Sequence, residues 1–219
     1  GEIEKLVADT KHLQEYQEEP SSQEDLEKIP MLTRADISRE IAPIYNEEMK
    51  IADIPTVFHE IETNGIGYLD LMFDLSDVPE KDLPMVGLLQ AVLGIIDTEH
   101  YEYGELFNEI NRHTGGIGTS LELYPDVTKV KEKEFKATFE IKGKALYGQI
   151  PFAIRMMKEI LTASKLDDEK RLKEILSMTK TRLQDRFLSA GHSAAALRAM
   201  SYKSPISKFK DTTNGIEYY

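Results

Sequence analysis

KDLPMVGLLQAVLGIIDTEHYEYGELFNEINRHTGG, residues 81–116, is the stretch on which the fold turns. Leu83, Val86, Leu89 or Gln90, Leu93 and Ile96 recur every three or four residues. That period predicts a helix over residues 81–96 with one apolar stripe. Leu106, Phe107 and Ile110 predict a shorter second helix, which Gly115-Gly116 stops. A first helix this apolar belongs against a sheet, and strand-like segments flank it on both sides.

Upstream, TVFHEIET (56–63) and IGYLDLMFDL (66–75) predict two strands. Asn64-Gly65 between them is the strongest hairpin signal in the chain, because both residues tolerate positive φ. Downstream, residues 117–124 predict a third strand. Phe135, Ala137, Phe139 and Ile141 alternate with Lys136, Thr138, Glu140 and Lys142, the pattern of a half-buried fourth strand with the polar set facing out. Residues 147–164 then place Ile150, Ile154, Met157 and Leu161 on one helical face. Asp167, Asp168 and Glu169 supply an acidic first turn for a long helix through Leu172, Ile175, Leu176, Leu183 and Phe187. Gly191-His192-Ser193 opens an alanine-rich helix, and in SPISKFKDTTNGIEYY a last helix begins and is cut off. Strands, helices, strands and helices in that order predict an α+β fold, two layers with an antiparallel sheet and helices packed on one face.

The first residues differ in character. Residues 3–18 form a polar helix with a narrow stripe of Ile3, Leu6, Val7, Leu13 and Tyr16. Pro20-Ser21-Ser22 breaks it, and Ser22 caps a restart that carries only Leu26 and Ile29. So thin a stripe supports no core, so residues 1–28 are expected to be a helical linker arm and residues 29–219 the domain. An undersupported opening helix and an unfinished closing one suggest a fragment of a longer chain.

The 219 residues carry 27 basic and 39 acidic side chains, a net charge of -12, which disfavours a phosphate-backbone partner. The charge is uneven: residues 1–30 hold nine acids and three bases, residues 165–210 eleven bases and five acids. Two solvated helical faces explain this, and so does a basic arm docking on an acidic partner. No stretch reaches the roughly 20 apolar residues that span a bilayer, and GEIEKLVADT has no signal-peptide pattern. Without cysteine, disulfides, thiolate zinc sites and thiol nucleophiles are excluded.

Catalytic constellations are equally scarce. His12, His59, His100, His113 and His192 include no pair at i and i+4, the spacing that aims two ligands from one helical face. His59-Glu60 falls on a predicted strand, where neighbours point to opposite faces. His100 sits in the turn of the helix pair, as a cap or in solvent. The G-x-S-x-G elbow is absent, and the glycines at 115, 116 and 118 end a helix instead of opening one. Met156-Met157 reads as core filler.

The run IPMLTRADI, then TVFHEIETNGIGYLDLMFDLSDVPEKDLPMVGLLQAVLG, then YEYGELFNEINRHTGGI resembles the pitrilysin/insulinase family of zinc metallopeptidases, closest to its presequence-protease branch. The similarity covers nearly the whole chain and is strongest over residues 28–124. The acidic arm resembles the second limb of that branch's linker hairpin. Such proteases close four related domains, in two halves, around a peptide, and the first domain carries H-x-x-E-H on the helix corresponding to 81–96. Aligned through Gly87, the motif falls here on Gln90, Ala91, Val92, Leu93 and Gly94, with the third-ligand position near Met178. Both histidines are absent and leucine replaces the base. The resemblance therefore implies the linker plus the third, non-catalytic domain, with no catalytic and no metal-binding residue in this chain and zinc held in the parent's first domain. Implied partners are the parent's other domains and unfolded peptides, not nucleic acid or membrane. The implied setting is a bacterial cytoplasm, or an organelle matrix in a eukaryote. Two other readings stand beside it: the scaffold domain of an inactive relative, and a stand-alone peptide-binding module that adds a peptide to a sheet edge.

Overall fold

The hairpin forms, but not at Asn64-Gly65. In the computed structural model, which describes residues 1–40, 43, 45–129 and 134–219, strand β1 (Glu47–Ile51) pairs antiparallel with β2 (Ile54–Phe58). Ala52 and Asp53 make the turn with φ of 49° and 66°, positive at both central residues as a tight hairpin demands. The predicted 56–63 strand thus starts earlier and stops at Phe58. Asn64 and Gly65 do take φ of 51° and 82°, but they lead into β3 (Ile66–Asp74), whose partner is β5 (Phe135–Leu146). A turn dipeptide fixes local dihedrals; which strands meet depends on what their faces bury.

The chain divides into two compact units, Gly1–Ile61 and Glu62–Tyr219. In the first, α1 (Glu2–Glu18) has no buried residue, so the stripe Ile3, Leu6, Val7, Leu13 and Tyr16 stays exposed. Helix α2 (Gln23–Glu27) begins as expected, with Ser22 Oγ accepting the Asp25 N–H at 3.2 Å. The hairpin completes this unit.

The second unit holds a three-stranded antiparallel sheet in the order β3-β5-β4, with β4 spanning Ile117–Pro125. Registers run Leu71↔Ile141 on one side and Leu121↔Phe139 on the other. One face of β5 packs Phe139 and Ile141 against Leu106 and Ile110 of α4 (Tyr103–His113) and Met156, Met157 and Ile160 of α5 (Ile150–Thr162). Each such fully buried side chain contributes about 1.5–3 kcal/mol. The stripe on α5 is rotated from its expected place: Ala153, Met156, Met157 and Ile160 are buried, and Ile154 is exposed. Phe107 is likewise exposed while its neighbour Leu106 is fully buried. Flexible methionines fill the room over the sheet, so the inner face shifts toward them.

Helix α3 covers only Leu83–Val92, preceded by a 3-10 turn at Glu80–Asp82. The expected helix to residue 96 stops four residues early. Leu93 is extended and enters the core, and Gly94 takes φ of 88°. The freed segment is fastened from α6 (Glu169–Ser189), whose Arg171 donates twice to the Ile95 carbonyl, at 3.2 and 2.8 Å. Ile96 then packs with Val92 and Ile175.

The last helix is not cut off. After α7 (Gly191–Ser201), α8 runs Pro205–Asn214 from a Ser204 cap, and Gly215 follows it. Fully buried Asp211 accepts from Arg198 at 2.6 Å and from the Ile216 N–H at 2.9 Å, folding the tail back on its helix. Helices α3 and α8 touch where Gly87 meets Thr213, so closely that a Cβ on Gly87 would collide with the Thr213 carbonyl.

Candidate functional site

Strand parity sends Phe139 and Ile141 to the helices and their alternates to the opposite face. That second face carries Tyr68, Asp70 and Met72 from β3, Thr138, Glu140 and Lys142 from β5, and Ser120, Glu122 and Tyr124 from β4. Glu140 is its centre. The expected outward-facing residue is 0% exposed, and Thr138 is buried too. A strand paired on both edges surrounds its middle residues with side chains on either side, so the even positions of β5 are more enclosed than their alternation implies.

The carboxylate of Glu140 is held by named partners. Oε1 accepts from Tyr124 Oη at 2.7 Å and from Thr138 Oγ1 at 2.5 Å. Oε2 lies 2.7 Å from Lys142 Nζ. The same ammonium group stands 3.0 Å from Glu122 and 3.8 Å from Asp70, so one cation serves three carboxylates. Burial pushes the Glu140 carboxyl up, but bonds from Lys142, Thr138 and Tyr124 outweigh it and hold it below the usual range. Asp70 is raised, by burial and then by the charge of Glu140, with Lys142 opposing. Donation to Glu140 pushes the Tyr124 phenol up to about 12, and the same carboxylate raises Lys142. Each group is thus locked in its charge state at neutral pH, except that Asp70 is strained in its own.

This arrangement suits recognition, not bond cleavage. No nucleophile stands beside a base in it. Asp70 and Glu122 are each about two-fifths exposed, next to the exposed Tyr68 and Met72. Such a surface offers a passing chain carboxylates for its cations and flat apolar area for its side chains.

The positions singled out in the sequence lie elsewhere. Gln90, near the end of α3, donates through Nε2 to the Thr119 carbonyl at 3.5 Å, and its own carbonyl accepts from Thr119 Oγ1 at 3.0 Å. It fastens α3 to β4. Leu93 is in the core, Gly94 is past the helix in a left-handed turn, and Met178 lies on α6. These residues do not fit a zinc ion. An alkyl chain and a hydrogen supply no ligand, and with Val92 the last helical residue, positions 90 and 94 share no helical face.

Among the described residues, no group of three or more His, Asp or Glu side chains could hold a metal ion. His100 places Nδ1 3.0 Å from Glu159 and donates its backbone N–H to the same carboxylate at 3.3 Å. His113 packs on Phe152 with ring centroids 4.7 Å apart. The basic residues of 165–210 are partly committed inside the unit: Arg171 to Ile95, Arg186 to Asn214, Arg198 to Asp211, Lys208 to Glu217. No helix among the described residues is long and apolar enough to cross a membrane.

All 219 residues match the protein family described as "Peptidase M-16C associated". The chain is 36% identical over 217 residues to "Protein HypA" of Clostridium perfringens, covering 99% of this chain and 22% of that protein. It is 26% identical over 218 residues to "Presequence protease 1, chloroplastic/mitochondrial" of Arabidopsis thaliana, covering 99% and 20%. To "Presequence protease, mitochondrial" of Yarrowia lipolytica it is 27% identical over 205 residues, covering 94% and 20%. The chain therefore spans about a fifth of the length of these relatives.

Proposed function

This chain belongs to the peptidase-associated family that matches it from end to end, and from that premise we propose that it is the linker arm and a non-catalytic wall domain of a zinc-dependent metalloendopeptidase. The parent degrades unstructured peptides inside a closed chamber; zinc and the general base reside in another domain, and the chain itself holds neither. The open face of the β3-β5-β4 sheet is turned to the peptide. Gln90, Leu93 and Gly94 occupy the places where a sister domain carries its zinc motif. In a bacterium the setting is the cytoplasm, in a eukaryote an organelle matrix.

One observation carries the reading: a whole-chain family match combined with a helix that ends at Val92, inside the span where the metal motif would lie. The substrate class follows from charge. Presequences are amphipathic, arginine-rich and poor in acids, and Asp70 and Glu122 stand half-exposed on the open face around a single lysine. The test is the parent enzyme carrying Asp70→Lys with Glu122→Lys. For an unstructured arginine-rich peptide the KM rises about tenfold with kcat kept, while a neutral peptide of equal length is unaffected. Equal KM for both peptides in enzyme and variant removes the open face from the chamber. A parent without peptidase activity makes the chain a scaffold domain instead.

A further inference from the structure

Strand β4 is paired on one edge only. Lys144 donates its N–H to the Gly116 carbonyl and Asp126 donates its own to Glu134, each at 3.3 Å. Those bonds put the even-numbered residues of β4 in hydrogen-bonded pairs with β5, so the N–H and C=O groups of Thr119, Leu121 and Leu123 point away from the sheet. The Thr119 carbonyl is taken by Gln90. Among the described residues no strand other than β5 pairs with β4.

Beside that open edge is a cavity of about 410 Å³. Leu121, Leu123, Phe187, Ala194, Leu197 and Phe209 make it mainly apolar. The alanine-rich start of α7 creates the room, because Ala190, Ser193 and Ala194 present small side chains where longer ones would fill it. Lys210 stands in its wall with no ion-pair partner among the described residues, beside Arg186, which is tied to Asn214. Unpaired peptide groups along an apolar hollow are costly to leave open and invite pairing with another chain.

We propose that an extended segment from another part of the parent protein adds to β4 as a further strand, fills this cavity with alternate apolar side chains and sets an acidic residue against Lys210. The inference rests on the reading above, that the chain is part of a longer peptidase. Three features select this occupant: the unpaired groups of Leu121 and Leu123 ask for a backbone, the cation in the wall asks for a carboxylate, and about four-fifths of the length of the relatives lies outside the matched span. A permanent segment, unlike a passing substrate, keeps the hollow covered throughout.

The test is site-resolved hydrogen exchange in the full-length parent, as wild type, Ala194→Phe and Ala194→Ser. In the wild type and Ala194→Ser the Leu121 and Leu123 amides are protected without added peptide. In Ala194→Phe, whose ring takes the segment's place, they exchange about tenfold faster or more, while the Phe139 and Ile141 amides, paired to β3, stay protected. Freely exchanging Leu121 and Leu123 amides in the wild type overturn the proposal, as does protection that Ala194→Phe leaves untouched. Protection that appears only on adding the arginine-rich peptide makes the occupant a substrate and overturns it too. Peptidase activity measured on the same samples separates the two ideas: an active enzyme with open amides sinks the docking strand alone, and an inactive protein with protected amides sinks the peptidase reading alone.

Discussion

Lys142 Nζ stands 2.7 Å from Glu140 Oε2, two residues back along the same strand, and this pair joins a fully buried carboxylate to a half-exposed cation. Residues i and i+2 of a strand share a face, so β5 can satisfy its own buried charge without help from a helix. Tyr124 and Thr138 complete the shell. The consequence is a polar face whose centre is rigid and whose rim, Asp70 and Glu122, is available.

Removing the cation strands the anion. Lys142→Met is expected to lower the unfolding free energy by about 3 kcal/mol, since a buried charge that loses its partner costs more than the pair was worth. Glu140→Gln with Lys142→Met recovers most of that loss. Urea denaturation of the single and double variants decides it; equal losses in both would mean the pair is not coupled.

Acid acts on the two carboxyls in opposite directions. Glu140 sits below its ordinary 4.5 in the folded protein, so its contribution is complete above that pH and is lost as the pH falls through the lower folded value. Asp70 is raised above its ordinary 3.8, so its charge costs stability at neutral pH and the cost fades on acidification. Asp70→Asn should therefore raise the Tm at pH 7 and lose that advantage near pH 3. A lower Tm for Asp70→Asn at pH 7 contradicts the assignment.

Gly87→Ala tests the packing of α3 on α8. The added methyl meets the Thr213 backbone, which cannot rotate away as a side chain could, and overpacking of this kind costs about 1–3 kcal/mol. Thermal unfolding reads it directly, and an unchanged Tm would mean the helices stand further apart.

Asp211→Ala should release residues 215–219. It leaves Arg198 without its buried partner and the Ile216 N–H without an acceptor, a loss of about 3–5 kcal/mol. Limited proteolysis should then clip the tail within the first cuts, whereas in the wild type it survives.

Rebuilding the motif residue by residue will not rebuild a metal site. Gln90→His, Leu93→Glu and Gly94→His together should leave the protein without stoichiometric zinc, because the helix ends at Val92 and position 94 has a φ of 88° that side chains resist. Metal analysis after dialysis against micromolar zinc settles the point, and one bound zinc per chain would show that the helix can extend to carry the ligands.

Much of the layer architecture was legible. The periodicity around Leu83, Val86 and Leu106, the alternation of Phe139 with Glu140, and the Ser22 cap are local signals, and each produced the expected element type. Helix ends and faces were less so. Leu93 and Ile96 continue the helical period in sequence, yet they serve different parts of the core once α3 stops, and only the position of Arg171 over Ile95 explains how the break is held. The same holds for Ile154, apolar and in period but left outside by the two methionines that pack first.

Composition and short-range period, which belong to the chain alone, were enough for the α+β class, the acidic charge, the absence of thiol chemistry and the side chains at 90, 93 and 94. It took the folded molecule to bury Glu140, to pair β3 with β5 while the hairpin forms at Ala52-Asp53, and to leave β4 an open edge beside a cavity. Those outcomes depend on residues far apart in the chain lying side by side in one sheet, as in the Tyr68↔Lys144 and Gly118↔Lys142 registers. Burial is set by the neighbours a residue acquires in space, and no local pattern encodes them.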